Sequence, residues 1–425
     1  MNFKVLHIST SDSGGAAIAA YRIHEGLVQA NVDSTFLTLI KSSSNKINHL
    51  VYDGPIIDNK PSYPILTIKN VLIEKFYKKY SNELNAYEKK RKQITDLKTP
   101  TIENSFANFE IFSEPTSQFD LTECKAYKEA DIIHLHWVAD FLNYESFFTK
   151  NKKPIVWTLH DENPFRGGFH YLADEIRNQK KYAKVDLLYK KMKEDIVARQ
   201  DKLLVITPSN WLGISAKSSS IFSERTVKTI RYNLDINLFS LKNRKYSREY
   251  FGIPEDRIVF MFVAQHVKNY RKGFDLLLPL IEDEDLKEVY FLIVGENKFQ
   301  CVNNKAFFLN SVNDERLMPL IYSASDYLIL SSREDNLPNT MVESLSCGTP
   351  VIGFNIGDNV ELLKDNELGL ICNEISTESL KSTLLEAITK RDFFSSEKIS
   401  MFAHQLFDPL QQSSLYIDEY INLLK

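Results

Sequence analysis

The sequence has few cysteines, and none of them is placed for a metal site or a disulfide framework. The four cysteines of this 425-residue chain lie far apart, and no CxxC pair occurs among them. This spacing weighs against a zinc ribbon and against a disulfide-stabilised secreted scaffold. It is typical of proteins in a reducing compartment, so we expect a cytoplasmic protein.

Long apolar runs and an excess of one charge are also missing. No stretch approaches the roughly 20 apolar residues that span a bilayer. The N-terminal run MNFKVLHISTSDSGG is too short and too alternating for a signal peptide. The net charge of −4 argues against broad nucleic-acid binding, which requires clustered positive charge. We therefore expect a soluble protein without a nucleic-acid partner.

The chain does contain short β-branched runs that alternate with helical segments, among them FKVLHIST, ADIIHLHW, KLLVITPS, RIVFMFVAQ, EVYFLIVGE, DYLILSS and PVIGFN. Alternation of this kind predicts α/β domains with parallel sheets covered on both faces. The chain is interpreted as two doubly wound, Rossmann-like domains at residues 1–235 and 236–408. They are expected to be joined near Asn233 to Ser247, and the strands of the second domain are expected to start after the polar run KNRKYSREYFGIPED. The last segment, 409–425, is predicted to be a helix that crosses back to the first domain.

The alternation fails between Ser42 and Gln118. Within this segment, the stretch from Tyr77 to Lys92 holds six Lys or Arg residues against two Glu residues, with tyrosines interleaved. A solvated helix face is the ordinary interpretation of such a stretch. The alternative is a contact surface for anionic lipid headgroups or for an anionic acceptor, which would place the protein peripherally at the inner face of the cell membrane.

Candidate ligand-binding residues follow the predicted strands, where doubly wound sheets bind their ligands. After the first strand, Gly14 and Gly15 let the backbone approach a ligand, and the next helix offers its N-terminus to a phosphate; a simple tight turn is the alternative. A nicotinamide-dependent enzyme would need G-x-G-x-x-G and an acid at the end of the second strand. The chain has neither, since that strand ends TLIKSSS.

Histidines follow the central strands of the first domain. His134 and His136 share one face of a strand and could form a metal pair, although burial in a parallel sheet favours core histidines. His160 and Asp161 end the next strand at the predicted crevice. There they could hydrogen-bond a ligand hydroxyl or stabilise developing positive charge.

Cations and acids follow the strands of the second domain. Arg271 and Lys272 precede a glycine after the first strand of this domain, where they would suit a diphosphate; an exposed turn is the alternative. In SREDNLPNTMVES, Asp335 follows a strand and Glu343 lies one turn into the next helix, which Asn339 or Thr340 could cap. The acidic run from 283 to 285 is formally a DxD motif, but it lies at the wrong end of the sheet, so we interpret it as solvated acids.

These stretches together resemble the family-4 retaining glycosyltransferases of the GT-B fold, with the closest likeness to the bacterial branch that builds capsule, O-antigen (lipopolysaccharide) and exopolysaccharide. DNLPNTMVES followed by CGTPV is the most specific part. The likeness covers most of the chain outside Ser42–Gln118. It rests further on the motifs HISTSDSGGAA, ADIIHLHW, VWTLHDENPFRGGFHY, NLDINLF, RKGFDLLL and FLIVGE.

The resemblance implies two domains that face a cleft. The second domain would bind a UDP- or GDP-linked nucleotide sugar, and the first would receive a saccharide or lipid-linked oligosaccharide acceptor. It implies no cofactor and no catalytic metal, and transfer of a hexose with retention of configuration. The rival interpretation is a catalytically silent homologue that binds a nucleotide sugar, or a partner subunit.

The resemblance also implies roles for particular residues. Glu343 would hydrogen-bond the donor ribose, and Asp335 would be the first acid of an E-x7-E pair that binds sugar hydroxyls. Lys272 would pair with the diphosphate, and His160 would lie near the transferred sugar. The remaining implied donor-binding residues are Gly14, Gly15, Arg271, Val312, Asn339 and Thr340.

The chain departs from the family pattern in two places near the predicted site. The first acid is Asp335 rather than glutamate, so Glu334 could take its place. The arginine usually found about five residues before the lysine is absent; Gln265 and His266 stand there, and Arg271 would compensate for it.

Overall fold

A computed structural model describes residues 3–42, 46–56, 109–296, 305–312, 314–363 and 367–425 of the chain. The basic stretch from Tyr77 to Lys92 lies outside the described residues, so its two interpretations stay predictions. Among the described residues, no helix is both long enough and apolar enough to cross a bilayer.

The first domain is built on a parallel sheet with the strand order β3-β2-β1-β4-β5-β6-β7. Strands β1 to β7 are Lys4–Ser11, Asp33–Ile40, His49–Val51, Ile132–Leu135, Ile155–Thr158, Leu203–Thr207 and Thr226–Thr229. Helices α1 to α5 are Gly15–Gln29, Lys125–Glu129, Tyr144–Lys150, Leu172–Val197 and Asn210–Lys217.

The second domain repeats this design with the strand order β10-β9-β8-β11-β12-β13, again parallel. Strands β8 to β13 are Ile258–His266, Val289–Glu296, Ala306–Leu309, Tyr327–Leu330, Val351–Phe354 and Gly369–Cys372. Helices α6 to α13 are Arg244–Phe251, Phe274–Leu277, Met318–Ala324, Asn339–Ser346, Asn359–Leu363, Thr377–Thr389, Ser396–Leu406 and Pro409–Leu424.

The central strands are buried on both faces. All residues of β4, β5, β6, β11 and β12 are buried, as expected for the near-continuous apolar runs of a parallel sheet covered by helices. The outer strand β7, with the sequence TVKT, is mostly exposed. The apolar central runs therefore fix the middle of each sheet, and the polar ligand-binding residues begin where these runs end.

The segment between the two domains differs from the prediction. We expected the polar run KNRKYSREYFGIPED to connect the domains, but α6 forms within it. Asn243 caps this helix by accepting a hydrogen bond from Tyr246 N (2.9 Å), and Gly252 ends it with a φ of 67°. Arg248 is buried and donates to Asp326 Oδ2 (2.7 Å). The sequence pattern did not predict this helix, because its buried face holds a charged residue in an ion pair and lacks the apolar stripe of an amphipathic helix.

The C-terminal helix α13 packs on the first domain, as predicted. The Tyr420 hydroxyl lies 2.7 Å from His134 Nδ1, and Lys228 Nζ lies 2.6 Å from Glu419 Oε1. The helix begins after Asp408, whose side chain accepts a hydrogen bond from Gln411 N. The predicted domain boundaries after residues 235 and 408 both lie between elements.

Candidate active site

A tight turn after β8 places two cations at the carboxyl edge of the second sheet. Asn269 caps the turn by accepting a hydrogen bond from Arg271 N (2.9 Å), and Gly273 closes it with a φ of 70°. A Cβ at position 273 would lie 1.8 Å from Ser331 O, so only glycine fits there. The turn therefore holds Arg271 and Lys272 beside the end of β11. We call residues 269–273 the cation turn.

Asp335 lies between these two cations. Lys272 Nζ is 2.5 Å from Asp335 Oδ2, and Arg271 Nη1 is 3.5 Å from the same oxygen. Burial opposes ionisation of Asp335, but the positive charges of Lys272 and Arg271 outweigh it and lower the pKa of this carboxyl. The structure thus brings together three of the residues predicted for the site.

The first domain reaches this cluster through Glu110, which the sequence did not single out. Its carboxylate binds Arg271 through two hydrogen bonds, from Nε (2.7 Å) and from Nη2 (3.1 Å). The guanidinium also lies 4.2 Å from the ring centroid of Tyr171. Glu110 lies within the segment from Ser42 to Gln118 where the strand–helix alternation fails, so no sequence pattern indicated its position. It occupies the bidentate face of Arg271 that a phosphate would use.

Glu334, the predicted alternative to Asp335, is engaged elsewhere. Its two carboxylate oxygens accept hydrogen bonds from Leu172 N (2.8 Å) and Ala173 N (2.9 Å). These are the first amides of α4, which an acid stabilises through the helix dipole. Of the two acids, Asp335 is therefore the one whose carboxylate contacts the cations.

Glu343 is buried within α9 and contacts a cation from the first domain. Arg22 Nη2 donates to Glu343 Oε1 (2.7 Å), and the Tyr322 hydroxyl donates to Oε2 (2.8 Å). Burial raises the pKa of Glu343, and the Arg22 charge opposes that shift. Arg22 also donates to Glu315 Oε1 (2.7 Å). Arg22 was not among the predicted site residues. The feature of the sequence that could have indicated it is the presence of a cation inside the apolar run AAIAAYRI of α1.

The glycine turn after β1 meets the start of α9 across the cleft. Asn339 Nδ2 donates to Gly15 O (2.8 Å), and Gly14 has a φ of 90°. The expectation that Asn339 or Thr340 caps α9 is wrong, because the N-cap residue is Pro338 and no side chain in the described part of the chain caps the helix. The uncapped amides of this helix start suit an anionic ligand.

His160 is held through both ring nitrogens. Its Nδ1 lies 2.7 Å from the Tyr232 hydroxyl, and its Nε2 lies 3.1 Å from His136 Nδ1. Burial lowers the pKa of His160 to about 4, so the ring is neutral at neutral pH. A ligand hydroxyl would have to displace one of these partners to reach a ring nitrogen. The neighbouring Asp161 is hydrogen bonded through Oδ2 to His170 Nδ1 (2.6 Å).

Three buried histidines lie close enough together to be considered for a metal. One ring nitrogen each of His7, His134 and His136 lies within 4.8 Å of the others. However, His7 Nδ1 is hydrogen bonded to His136 Nε2 (2.8 Å), and His134 places its two nitrogens 2.7 Å from the Tyr420 and Thr158 hydroxyls. Because these bonds already occupy most of the ring nitrogens, the group fits hydrogen-bonded core histidines, the interpretation preferred for His134 and His136.

Two other predicted features lie away from the cation cluster. Val312 follows β10 and packs against a buried apolar cluster that contains residues of both domains. Asp283 and Asp285 precede β9, at the edge of the sheet opposite the cations, and Lys381 Nζ lies 2.8 Å and 2.7 Å from their carboxylates. This position agrees with their interpretation as surface acids.

Comparison with known proteins places the cation turn, Asp335 and Glu343 in one matched segment. Residues 243–401 match the family described as glycosyl transferases group 1. The O-antigen biosynthesis glycosyltransferase WclY of Escherichia coli is 25% identical over 244 residues, which cover 53% of this chain and 62% of WclY. An uncharacterized 41.2 kDa protein in the cps region of Klebsiella pneumoniae is 22% identical over 255 residues, which cover 58% of this chain and 66% of that protein. The chain thus spans less than two thirds of either relative.

The complete two-domain arrangement recurs in a solved structure. Anabaena HepE, whose crystal structure contains UDP and glucose, superposes with a TM-score of 0.63 at 15% identity, over 98% of this chain and 99% of HepE. This likeness confirms the fold that the sequence predicted. The chain therefore has the GT-B fold, and its second domain is similar to the glycosyl transferases group 1.

Proposed function

We propose that this protein is a retaining glycosyltransferase that moves a sugar from a nucleotide-sugar donor to a saccharide in bacterial surface polysaccharide biosynthesis. The observation that carries this proposal is the grouping of Lys272, Arg271 and Asp335 at the carboxyl edge of the second sheet. The two cations suit the diphosphate of the donor, and the carboxylate suits the hydroxyls of its sugar. The match of residues 243–401 to glycosyl transferases group 1 supports the same chemistry.

Donor binding exchanges the partners of the two cations. Glu110 neutralises Arg271, and Asp335 neutralises Lys272. A diphosphate carries more negative charge and more acceptor oxygens than a carboxylate, so it can take over both cations. When the anomeric bond breaks, Lys272 and Arg271 stabilise the charge that develops on the leaving diphosphate. In this proposal the two side chains supply the charge stabilisation that other transferases obtain from a divalent metal.

The remaining predicted residues hold the other parts of the donor. Glu343 accepts hydrogen bonds from the ribose hydroxyls, and the charge of its neighbour Arg22 favours the ionised form of that carboxylate. Asp335 accepts hydrogen bonds from the transferred sugar. The glycine turn and the uncapped start of α9 contact phosphate or sugar, and the backbone near Val312 contacts the base; the donor is a UDP- or GDP-linked sugar.

Retention requires the acceptor hydroxyl to attack from the face that the diphosphate leaves. The bond from the anomeric carbon to the phosphate oxygen breaks, and its electron pair leaves with the diphosphate. The acceptor oxygen bonds to the anomeric carbon and gives its proton to the departing phosphate. In this proposal Asp335 and Glu343 accept hydrogen bonds from hydroxyls of the donor, which leaves the departing phosphate as the base. Closure of the domains over the donor excludes water and limits hydrolysis.

We extend the proposal to a lipid-linked saccharide acceptor. The O-antigen role in the name of the Escherichia coli relative supports a surface polysaccharide as the product. A lipid-linked acceptor would bring the protein to the inner face of the cell membrane as a peripheral protein. The tyrosine-containing basic stretch from Tyr77 to Lys92 is the part of the sequence best suited to that contact.

A thermal-shift screen of nucleoside diphosphates and nucleotide sugars tests the donor site. A ligand that binds the folded state raises the melting temperature, and we expect this with a uridine or guanosine diphosphate sugar. Lys272→Ala should lose most of the shift. Lys287→Ala is the matched control, because this exposed lysine precedes β9 at the opposite edge of the sheet. If the ligand raised the melting temperature of Lys272→Ala as much as that of the wild type, the cation turn would not be part of the donor site.

Turnover separates the transferase from a silent homologue that binds a nucleotide sugar. The transferase consumes the donor that gives the largest shift, by sugar transfer or by slow hydrolysis, and Lys272→Ala slows this consumption. A protein that binds nucleotide but consumes no donor with any acceptor is the silent homologue. An absolute requirement for manganese would contradict the metal-free mechanism.

A further inference from the structure

Three histidines and one tyrosine form a continuous chain of hydrogen bonds across the first sheet. His7 Nδ1 lies 2.8 Å from His136 Nε2, His136 Nδ1 lies 3.1 Å from His160 Nε2, and His160 Nδ1 lies 2.7 Å from the Tyr232 hydroxyl. His7 belongs to β1, and the other three residues follow β4, β5 and β7. We call this group the histidine chain.

Neutral rings restrict the histidine chain to two arrangements. Burial lowers the pKa of His7 and of His136 well below the usual value, and that of His160 to about 4. A neutral imidazole has one N–H donor and one acceptor nitrogen. Because each ring in the middle of the chain uses both nitrogens, all three bonds must point the same way. They run either from His7 towards Tyr232 or from Tyr232 towards His7.

The buried end of the chain decides between these arrangements. His7 is fully buried, and its Nε2 has no hydrogen-bond partner among the described residues. If the bonds run towards His7, this nitrogen carries a buried N–H without an acceptor. If they run towards Tyr232, it is a bare acceptor, and orphaned buried N–H groups are the rarer of the two in proteins. The chain therefore runs from His7 to Tyr232, and His160 Nδ1–H donates to the tyrosine oxygen.

The other end of the chain lies where the first domain meets the second, since the adjacent Arg231 forms ion pairs with Asp358 and Glu361 of the second domain. Burial raises the pKa of Tyr232 well above its usual value, and Tyr416 and the charge of Asp335 add to the shift. Tyr232 therefore keeps its phenolic proton at any working pH. Its ring stacks on His160, with 5.6 Å between centroids and 23° between the ring planes. Since His160 donates to the Tyr232 oxygen, the phenolic proton is free to point at another acceptor.

We propose that the histidine chain holds Tyr232 as a hydrogen-bond donor to an oxygen of the transferred sugar. This inference rests on the proposed function, in which Asp335 accepts a hydrogen bond from the same sugar. The sugar would then be held between an acceptor of the second domain and a donor of the first. His7 and His136 are positioning residues, since they act through His160 and do not touch the sugar.

His24 provides an internal reference for the opposite tautomer. Its Nε2 lies 2.9 Å from Ile47 O, and its Nδ1 lies 2.7 Å from Ser34 Oγ. A carbonyl oxygen only accepts hydrogen bonds, so His24 carries its proton on Nε2. The histidine chain requires the proton on Nδ1 in His7, His136 and His160.

Side-chain ¹H–¹⁵N NMR of the wild-type protein, labelled at histidine, measures these tautomers directly. We expect His160 and His136 to be protonated on Nδ1 and His24 on Nε2, with His160→Asn and His136→Asn spectra giving the assignments. A proton on Nε2 of His160 would overturn the proposal. This measurement requires no turnover, so its result is independent of whether the proposed function is correct.

Sugar transfer tests the role of the chain. Tyr232→Phe should lower kcat/KM for transfer about tenfold or more, by analogy with the loss of other preorganised donors, while the Kd of the sugar-free nucleoside diphosphate stays unchanged. His136→Leu breaks the chain and should cause the same loss. His136→Asn, whose amide can replace Nδ1 towards His160, should restore most of the activity. Full activity of Tyr232→Phe would overturn the proposal.

The double variant Tyr232→Phe/His136→Leu separates a shared role from independent damage. If His136 acts only through Tyr232, the double variant loses no more activity than either single variant. Losses that multiply would contradict the proposal. A wild-type protein that consumes no donor would contradict the proposed function instead, and the NMR tautomers would still decide the direction of the chain.

Discussion

Glu343 depends on a side chain that lies in the other domain. The Arg22–Glu343 ion pair has side chains only 10% and 11% exposed, so each charge needs its partner. Burial alone would favour the protonated acid, as the raised pKa of Glu343 shows. The sequence predicted Glu343 as a site residue, but it could not predict Arg22, because the pairing depends on how the two domains meet.

Removing Arg22 should therefore cost stability. Breaking a buried ion pair by deleting one partner leaves an uncompensated charge, so Arg22→Ala should lower the free energy of unfolding in urea by about 3 kcal/mol. Arg316→Ala is the control, since its ion pair with Asp314 is exposed, and it should leave the unfolding curve nearly unchanged. Equal curves for the two variants would contradict the buried pair.

Lys193 gives a prediction about pH. This lysine is 1% exposed, donates to Asn163 O (2.6 Å), and has its pKa lowered by burial to about 7. An unfolded lysine titrates near pH 10.4. Between these two values the unfolded state binds more protons than the folded state, so this residue makes stability rise with pH.

The free energy of unfolding should thus increase for the wild type relative to Lys193→Met between pH 7 and pH 9. The slope is at most about 1.4 kcal/mol per pH unit, and urea titrations at the two pH values measure it. The exposed Lys180 lies on the same helix, and Lys180→Met should show the wild-type pH dependence. A wild-type advantage over Lys193→Met that is constant with pH would contradict the lowered pKa of Lys193.

At the scale of elements, the turn that closes with Gly273 determines where the two cations lie. Gly273 and Gly252 both have a positive φ, of 70° and 67°. A Cβ at position 273 would lie 1.8 Å from Ser331 O, whereas one at position 252 would meet no described atom within 4 Å. Any other residue would therefore meet the same unfavourable backbone conformation at both positions, but the space available to its side chain differs.

Alanine substitutions at these two positions separate the cost of a left-handed backbone from the cost of a steric clash with Ser331. Gly252→Ala should cost about 1 kcal/mol of unfolding free energy, from the left-handed backbone alone. Gly273→Ala should cost more and should also weaken nucleoside diphosphate binding, because the turn must shift away from Ser331. Calorimetric titration of both variants with the nucleoside diphosphate checks this, and equal affinities would show that the turn does not position the cations.

Element patterns explain which predictions succeeded. The apolar strands and the glycine and cation turns after them were predictable, because parallel strands end at one edge of a sheet. Helix α6 was not predicted, because its buried face carries Arg248, a charged residue that is stabilised by an ion pair with Asp326. The predicted capping role of Asn339 was wrong because the helix already begins at this residue, after the N-cap Pro338, and its side-chain amide donates to Gly15 O of the other domain. Local pattern fixes an element, whereas contacts between domains decide what its polar side chains bind.

At the scale of the whole molecule, the two domains meet over the site through polar contacts. Asn339 bonds the glycine turn at Gly15, and Glu110 binds Arg271 with both carboxylate oxygens. In the proposed function, Arg271 binds the donor diphosphate, and the second of these contacts occupies that cation. Under this proposal, donor binding competes with a contact between the domains.

Removing that competition should strengthen binding. Glu110→Gln leaves Arg271 without its carboxylate partner, so the Kd of a nucleoside diphosphate should fall by about fivefold, as expected for a gain near 1 kcal/mol. Glu123→Gln is the control, because this exposed acid pairs with Lys128. A weaker or unchanged affinity in Glu110→Gln would show that Glu110 supports the donor site instead of competing for it.

The anomeric configuration of the product tests the central claim most directly. The wild-type protein is incubated with its preferred nucleotide sugar, a saccharide acceptor and a metal chelator, and the initial product is analysed by ¹H NMR. The account predicts sugar transfer with the anomeric configuration of the donor preserved, and loss of transfer in Lys272→Ala. An inverted product, or nucleotide binding without consumption of any donor, would contradict it.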